Sequence, residues 1–366
     1  MSGVLTRLYR GETTFNFVGR RWWGFGLSLF LIVVTMLSLF TRGLNLGIDF
    51  EGGVAWEVPA TSITIEDVTA ILEANKVDTA DAKIQSLNGS DGSRIRVQVA
   101  EQTAEVKSAV QGALAEKAKV DVQDVSVSSV SSSWGRSITE KAVRALLIFF
   151  VLVSVFIAWR FEWKMALSAI LAMVHDVLIS VGVYSITGLA VTPATVIAFL
   201  TILGFSLYDT IVVFDKVHDN TARYAASRVS YADITNVSMN QVLMRSINTS
   251  LAAVLPVLSL LVLGSWVLGA VALEEFAIAL LVGLLLGAYS SIFVATPLLA
   301  QFKTRESKYA SLADEIHTGS EMARIAGSGK KTIQRVAATA QDSEREVVLA
   351  SSALTHPPRP RKKRRR

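Results

Sequence analysis

Residues 191–215, VTPATVIAFLTILGFSLYDTIVVFD, are apolar for longer than a bilayer is thick, yet they include Asp209. About 20 consecutive apolar residues span the hydrocarbon core as a helix, so the stretch predicts a transmembrane segment. An ionised carboxylate at that depth costs about 2.5 kcal/mol or more. Because such a group usually persists where the protein uses it, we expect Asp209 to belong to a proton path.

The composition of the whole chain agrees with a membrane protein. Of its 366 residues 51% are hydrophobic, and apolar runs of roughly 18 to 25 residues recur, as in polytopic helical proteins. The chain has no cysteine and four histidines, which excludes disulfides and thiolate sites and argues against a His-rich metal site. No Walker, GxSxG, HExxH or Rossmann glycine pattern is present. We therefore expect no enzyme activity and no cofactor, with any work driven by an ion gradient or a partner.

The apolar runs predict six spans and one outer domain. The first run begins with Trp22 and Trp23, which suit the headgroup interface. A cleavable signal peptide is the alternative, but the run is long and no A-x-A-like site follows it. The predicted segments are a cytoplasmic N-terminus at 1–21, a first span at 22–41, an extracytoplasmic domain at 42–140, a bundle at 141–300 with spans at about 145–159, 165–187, 191–214, 246–263 and 276–300, and a basic cytoplasmic tail at 301–366 that we expect to be disordered.

The outer segment reads as a small α+β domain. Gly47, Gly52 and Gly53 predict a tight, backbone-dominated turn at the membrane surface. Beyond it, alternation and helical spacing predict the order β-α-β-β-α-β of a ferredoxin-like domain. Its strands are expected at 54–58, 82–87, 94–99 and 122–130 and its helices at 64–75 and 101–117, with a flexible link at 128–135.

The distribution of basic residues predicts the orientation in the membrane. The two short loops assigned to the outer side carry no Lys or Arg, and the large outer domain is long enough to be exempt from the positive-inside rule. Both termini are therefore expected in the cytoplasm. The loops assigned to the inner side hold Arg160, Lys164, Lys216, Arg223 and Arg228.

Asp209 and Arg245 form the first candidate pair. Both are predicted near the cytoplasmic ends of antiparallel spans, where a contact would hold the carboxylate ionised and its loss would let a proton bind. In the alternative interpretation, Asp209 is a helix-end carboxylate that reaches water or a nearby base. Arg245 would then be a flanking arginine that snorkels to the interface.

Asp176 and His175 lie near the middle of the span predicted at 165–187. They point about 100° apart on a helix, so at most one of them squarely faces any single partner. Asp176 is either a second relay station or an inter-helix lock. The alternative is a buried hydrogen-bonded pair that fixes helix packing.

Further features have structural interpretations. Gly283 and Gly287 form a GxxxG pattern that predicts close packing against another helix. Ser206 and Asn240 are expected to join helices by hydrogen bonds, and Asp215 is read as part of a solvated helix start. The terminal RPRKKRRR predicts weak binding to anionic lipid, at about 1 kcal/mol per charge. RNA binding is the alternative, and the tail's start at the membrane favours lipid.

Four blocks resemble the signature motifs of the SecF family of protein-export subunits, within the RND superfamily. They are GIDFEGG (47–53), VHDVLISVGVY (174–184), FSLYDTIVVFDKVHDN (205–220) and SMNQVLMRSINTSLAAVLPVLSLL (238–261). The resemblance implies a multi-pass protein of the bacterial cell membrane that pairs with SecD in a twelve-span unit. Such a unit works beside the SecYEG channel after the SecA motor and uses the proton-motive force to move unfolded preprotein outward.

The resemblance also implies roles for individual residues. Asp209 matches the family's proton-linked carboxylate, Arg245 its linked arginine, and Asp176 lies with His175 in its HD motif. Tyr208 stands where the family often has Asn, which changes the hydrogen-bonding group beside Asp209. The other motif residues are Gly47, Asp49, Gly52, Gly53 and Asp215.

Three functions remain open at this point. In the first, alternate protonation of Asp209 rearranges the helices and moves an outer domain that grips unfolded chain. A small-molecule RND exporter is the second, although one chain here has only six spans and one small outer domain. In the third, a passive scaffold, Asp176 and Asp209 only lock helices together.

Overall fold

The computed structural model describes residues 8, 13–60, 62–80, 82–89, 92–225, 227–267, 271–313 and 315–327. For residues 88, 89, 265–267, 271 and 272 it describes the backbone alone. Within these residues, six helical segments are long and apolar enough to cross a membrane. The prediction of a six-span helical bundle with a small α+β domain is confirmed. The six segments are Arg21–Arg42, Ser132–Arg160, Trp163–Thr187, Pro193–Arg223, Tyr231–Gly264 and Leu273–Thr304.

The helices and strands follow one another in a simple order. Two π-helical segments interrupt this order: Leu261–Val267 extends the helix that ends at Leu260, and Ser291–Ala295 joins the helix that ends at Ser290 to the one that begins at Thr296. The elements are α1 (Arg21–Arg42), α2 (Ile48–Glu51), β1 (Gly53–Pro59), α3 (Ile65–Ala74), β2 (Lys83–Gly89), β3 (Gly92–Val99), α4 (Ala104–Ala118), β4 (Ser126–Val130), α5 (Ser132–Arg160), α6 (Trp163–Thr187), α7 (Pro193–Arg223), α8 (Tyr231–Leu260), α9 (Val271–Ser290), α10 (Thr296–Thr304) and α11 (Ser307–Ala310).

The outer domain is a four-stranded antiparallel sheet in the order β2-β3-β1-β4. This order confirms the ferredoxin-like topology. Alternation places Val54, Trp56 and Val58 on one face of β1, where all three are fully buried against α3 and α4. The opposite face carries polar groups and turns toward the membrane bundle, since Gln98 donates to the backbone oxygen of Leu46 at 3.1 Å.

Two glycines make the corner between the first span and the sheet. Gly52 and Gly53 have φ of +81° and +122°, values that side chains rarely adopt. A Cβ on Gly53 would also lie 2.3 Å from the backbone oxygen of Val99. The corner is tied to the bundle because Gly47 N–H donates to the oxygen of Val191 at 2.9 Å.

The flexible link predicted at 128–135 is wrong. Strand β4 pairs with β1 as far as Val130, and Ser131 then caps α5 by accepting from the N–H of Trp134. Gly135 packs against the backbone of Phe50, where a Cβ would approach the oxygen to 2.7 Å. The serine-rich stretch predicts a flexible link because solvated serines are common in linkers. Ser131 instead occupies an N-cap position, where a serine starts a helix.

Two helices run further than their apolar stretches. Pro193–Arg223 continues nine residues beyond the predicted span, and Tyr231 begins the next helix well before residue 246. Asp215 therefore lies in the last turns of α7, 3.5 Å from Arg160, and not at a helix start. Hydropathy marks only the part of a helix that meets lipid, whereas a helix continues as long as one face packs.

The segment after the sixth span is ordered over part of its length, so the expected disorder of 301–366 is wrong there. Helix α10 reaches into it as far as Thr304, α11 lies within it, and Tyr309 and Met322 are buried. His317 is bound to Asp233 of α8 through backbone and side chain, at 2.8 and 2.6 Å. The remaining tail from 328, with its basic terminus, lies outside the described residues.

Candidate intramembrane carboxylate site

Asp176 on α6 is the centre of a buried contact between three spans. It is 1% exposed, and its Oδ2 accepts hydrogen bonds from Ser206 of α7 at 2.6 Å and from Ser290 of α9 at 2.7 Å. Two hydrogen bonds of this length hold the Asp176 side chain between α7 and α9. The predicted role of Ser206 in joining helices therefore takes the form of a bond to Asp176.

His175 extends this contact to the first span. Its Nδ1 lies 3.0 Å from Oδ1 of Asp176, and its Nε2 lies 3.0 Å from Oγ of Ser28 on α1. Ser28 lies 3.1 Å from the Tyr289 hydroxyl, which donates to the backbone oxygen of Gly24 at 2.7 Å. His175 and Asp176 therefore point to different helices, as their 100° offset predicts, and they also bond to each other.

The directions of these bonds fix a proton count. Since Tyr289 uses its hydrogen on Gly24, Ser28 must donate to Tyr289 and therefore accept from Nε2 of His175. Nε2 then carries a proton, and one further proton lies between Nδ1 and Oδ1 of Asp176. The pair is either imidazolium with carboxylate or neutral imidazole with carboxylic acid.

Asp209 lies on α7, 7% exposed, within reach of the same part of the sixth span. Its Oδ2 accepts from Ser291 at 2.6 Å. A small cavity borders it between α7, α8 and α9, lined in part by Tyr208, Thr249 and Gly287. A buried carboxylate beside a cavity with hydroxyl groups in its wall can exchange a proton without unfolding the bundle.

Arg245 does not contact Asp209 in this structure. Its Nη2 donates instead to the hydroxyl of Tyr208 at 3.2 Å, and neither an ion pair nor a hydrogen bond joins these two described residues. Both Arg245 and Tyr208 are exposed on the surface of the bundle, Tyr208 by 50%. Tyr208, the residue directly before Asp209, is therefore the hydrogen-bond partner of Arg245.

The glycines of the sixth span pack against α7. A Cβ on Gly283 would lie 2.1 Å from Cδ1 of Ile202, and one on Gly287 would lie 3.0 Å from Cβ of Ser206. This close approach brings Ser206 and Ser290 to the same oxygen of Asp176. The GxxxG pattern thus identifies a helix contact that builds the site.

The motif residues before the sheet lie elsewhere. Gly47, Asp49, Gly52 and Gly53 are at the outer end of the bundle, where Asp49 borders a cleft beneath the sheet. Asp215 is at the opposite end. The motifs therefore mark two places in the molecule and not one site.

Sequence reasoning missed the hydroxyl groups that bind the two carboxylates or continue the hydrogen bonds from His175. Ser28, Tyr289, Ser290 and Ser291 are scattered polar residues in apolar runs, and all except Tyr289 are buried. The available signal was the adjacent pair Ser290 and Ser291 directly after the glycine pattern. Among the described residues, no group of acidic and histidine side chains is suited to holding a metal ion.

Comparison with known proteins identifies the family. Residues 110–305 match the family described as "Protein export membrane protein SecD/SecF, C-terminal", and residues 37–55 match the SecD/SecF GG motif. The chain belongs to the SecD/SecF family of protein export membrane proteins. The resemblance inferred from the four sequence blocks is thereby confirmed.

Individual relatives agree with this membership. The chain is 40% identical to protein translocase subunit SecF of Streptomyces coelicolor over 311 residues, covering 85% of this chain and 82% of the relative. It is 44% identical to that of Mycobacterium tuberculosis over 308 residues, covering 82% and 70%. It is also 33% identical to subunit SecDF of Thermus thermophilus, of which it covers 39%.

Solved structures show the same fold. The crystal structure of SecDF from Thermus thermophilus, titled a translocon-associated membrane protein, aligns with a TM-score of 0.72 and 32% identity over 81% of this chain. A SecDF structure in the super-membrane-facing form aligns at 0.57 with 30% identity over 82%. The chain spans 39% and 40% of those longer chains.

Proposed function

We propose that this chain is the SecF half of a proton-coupled unit that completes preprotein translocation. Together with SecD, it uses the proton-motive force to draw unfolded chain outward through SecYEG after the SecA-driven step. The observation that carries the proposal is the arrangement of two buried carboxylates on neighbouring spans, each hydrogen-bonded by an adjacent serine of the sixth span. Protein translocase relatives over most of the chain favour this function over small-molecule export.

Protonation changes what each carboxylate can accept. Ionised Asp209 accepts from Ser291, whereas a proton on the same oxygen turns it into a donor and reverses or breaks the bond. Asp176 and His175 already share a proton. Loss or gain of one proton there exchanges donors for acceptors in the hydrogen bonds that hold α6 to α1, α7 and α9. Proton transfer at either acid therefore changes the packing of the sixth span.

A polar strip on the bundle surface supports a membrane partner. Tyr208, Arg245 and Asn248 are exposed on α7 and α8 beside the cavity that borders Asp209. Polar and charged side chains at this depth are costly when they face lipid. A second helical bundle that covers the strip removes this cost and closes the proton path, and the fused SecDF relative indicates SecD as that bundle.

The described residues nearest to the two termini support a cytoplasmic location for both termini. Asn240 bonds the backbone of Phe15, and Asn236 accepts from the N–H of Val18. His317 binds Asp233 on the same part of α8. Residues 15–18 and residue 317 therefore lie at one end of the bundle, away from the outer domain, in a multi-pass protein that we propose belongs to the bacterial cell membrane.

Export by reconstituted vesicles tests the proposal. Proteoliposomes would hold SecYEG, SecA, a SecD partner and either the natural chain or the Asp209→Asn variant. The variant should assemble normally and lose the part of export that depends on an imposed proton gradient. Glu140→Gln on α5 is the matched control, because Glu140 is exposed and pairs with Arg144 of its own helix. Unchanged gradient-dependent export in Asp209→Asn would reject the proposal.

Thermal unfolding of the same variants separates coupling from a passive scaffold. If Asp209 only locks helices, Asp209→Asn should lower the melting temperature and reduce export with and without a gradient. Coupling predicts a loss confined to the gradient-dependent part.

A further inference from the structure

The polar face of the outer sheet carries a buried ion-pair group that is separate from the carboxylate site. Arg96 on β3 is opposite Glu57 on β1 in the strand register. Its guanidinium lies 2.7 Å from Oε1 of Glu57 and 2.9 Å from Oε1 of Glu275 on α9. The side chains of Arg96, Glu57 and Glu275 are only 17%, 24% and 7% exposed. One arginine thus joins the sheet to the outer end of the sixth span.

Glu275 is held in place by a second helix. Its backbone oxygen accepts from the hydroxyl of Tyr184 on α6 at 2.6 Å, and Tyr184 is fully buried. Tyr184 is two turns along the same helix from Asp176, about 12 Å at helical rise. The ion-pair group is therefore attached to the two helices that meet at Asp176.

Helix α9 connects the ion-pair group with both carboxylates. From Glu275 to Ser290 it is one uninterrupted helix, about 22 Å long. At one end it contacts Arg96, and at the other Ser290 and Ser291 bond Asp176 and Asp209. Between these ends Gly283 and Gly287 face Ile202 and Ser206 of α7 without an intervening side chain. A rigid rod of this kind moves both ends together when one end is displaced.

The outer domain has space in which to move. A cleft of about 480 Å³ lies between the polar sheet face and the ends of the spans. Asp49, Glu57, Arg96 and Glu275 all line it, together with residues at the start of α7. Because the ion pair crosses this cleft, a shift of the sixth span pulls directly on the sheet.

We propose that Arg96, oriented by Glu57 and paired with Glu275, is the link through which the sixth span moves the outer domain during translocation. The proposal rests on the proposed function, in which Arg96, Glu57 and Glu275 are positioning residues. Breaking a partly buried ion pair leaves an uncompensated charge, so removal of one partner acts more strongly than at an exposed pair. The link depends on charge and not on a specific side-chain shape, so reversing all three charges of the group should restore it.

Spin-label distances provide the first readout. The chain has no cysteine, so cysteines introduced at the exposed positions Gln123 and Thr187 would be the only labelled sites, one on the domain and one on the bundle. In liposomes with SecD and the channel, an imposed proton gradient should shift the distance between the labels. Arg96→Glu should abolish that shift and lower gradient-dependent export by about tenfold, and Arg96→Glu with both Glu57→Arg and Glu275→Arg should restore both.

Two variants control for folding. Lys117→Gln breaks an ion pair within the outer domain, between Lys117 on α4 and Asp67 on α3 at 3.0 Å, and should leave export and the distance shift unchanged. Arg96→Gln, which keeps the size and removes the charge, serves if Arg96→Glu fails to accumulate. A normal distance shift and normal export in Arg96→Gln or Arg96→Glu would overturn the proposal, as would a reversal of all three charges that leaves both defects in place.

The design separates this proposal from the proposed function. If Asp209→Asn keeps gradient-dependent export, the proton coupling itself is wrong. If Asp209→Asn loses export while the Arg96 variants keep it, coupling holds and the link is elsewhere.

Discussion

Ser291 donates a hydrogen bond of 2.6 Å to Asp209 from the first residue of a π-helical segment, Ser291–Ala295. Ser290, one residue earlier, donates to Asp176. Successive residues of a helix point about 100° apart, so two neighbouring serines can bond acids on two different spans. Single π-turns within helices occur frequently at functional sites, and this one lies where the sixth span meets both carboxylates.

Ser291→Ala should weaken both stability and coupling. Loss of a hydrogen bond to a buried carboxylate costs about 1.5 to 3 kcal/mol, which a chemical-denaturation curve in detergent would detect. Gradient-dependent export should fall as well, because the sixth span loses its hydrogen bond to Asp209. Ser259→Ala removes an exposed hydroxyl on α8 that bonds only its own helix and should change the free energy of unfolding by less than about 0.5 kcal/mol. Equal stability of the two variants would contradict the expectation.

Gly287→Ala should push the sixth span away from α7. The new methyl group would lie 3.0 Å from Cβ of Ser206, which itself bonds Asp176. Overpacking of this kind costs about 1 to 3 kcal/mol in the free energy of unfolding. Gly204→Ala is the matched control, since a Cβ there meets no atom within 4 Å, and it should be neutral or stabilising. Similar effects of the two substitutions would argue against close packing at Gly287.

The tautomer of His175 can be read by nitrogen NMR on labelled protein in lipid. The bond directions from Gly24 to Asp176 require a proton on Nε2. We expect Nε2 of His175 to appear protonated, whereas the exposed His218 serves as a solvent-exchanged reference. A His175 signal with a bare Nε2 would contradict the proton count for the His175–Asp176 pair.

Docking of the segment after the sixth span should depend on pH. The hydrogen bond to Asp233, together with the charge of Asp233, raises the pKa of His317 above its ordinary 6.5. A raised pKa in the folded state gives stabilisation that is complete below the unfolded value of 6.5 and is lost as the pH rises through the folded value. Residues 315–327 should therefore be protected at pH 6 and released at alkaline pH.

Trypsin cleavage after the exposed Arg324 measures that release. Rates are compared with those of His317→Gln at each pH, which corrects for the protease's own pH dependence. The ratio of the variant rate to the natural rate should be largest at low pH and approach one at high pH. A ratio that does not change with pH would show that His317 does not hold the segment by its charge.

Much of the architecture is determined locally, along the sequence. Apolar runs mark the six spans because lipid requires about 20 apolar residues for each crossing. Alternating and helical periods predict the βαββαβ order of the outer domain, since each element must bury one face. Asp176 and Asp209 stand out for the same reason, as charged groups in segments where charge is costly.

The connections between these elements are decided by tertiary packing. The bond between Arg96 and Glu275 joins residues 179 positions apart, and its existence depends on how the sheet is rotated above the bundle. The pairing of Arg245 with Tyr208, and the placing of Ser290 and Ser291 on two different acids, depend likewise on helix rotation and offset. Hydropathy and periodicity determine which face of an element is buried, but not which residue of another element it meets, because that depends on how all the elements pack together.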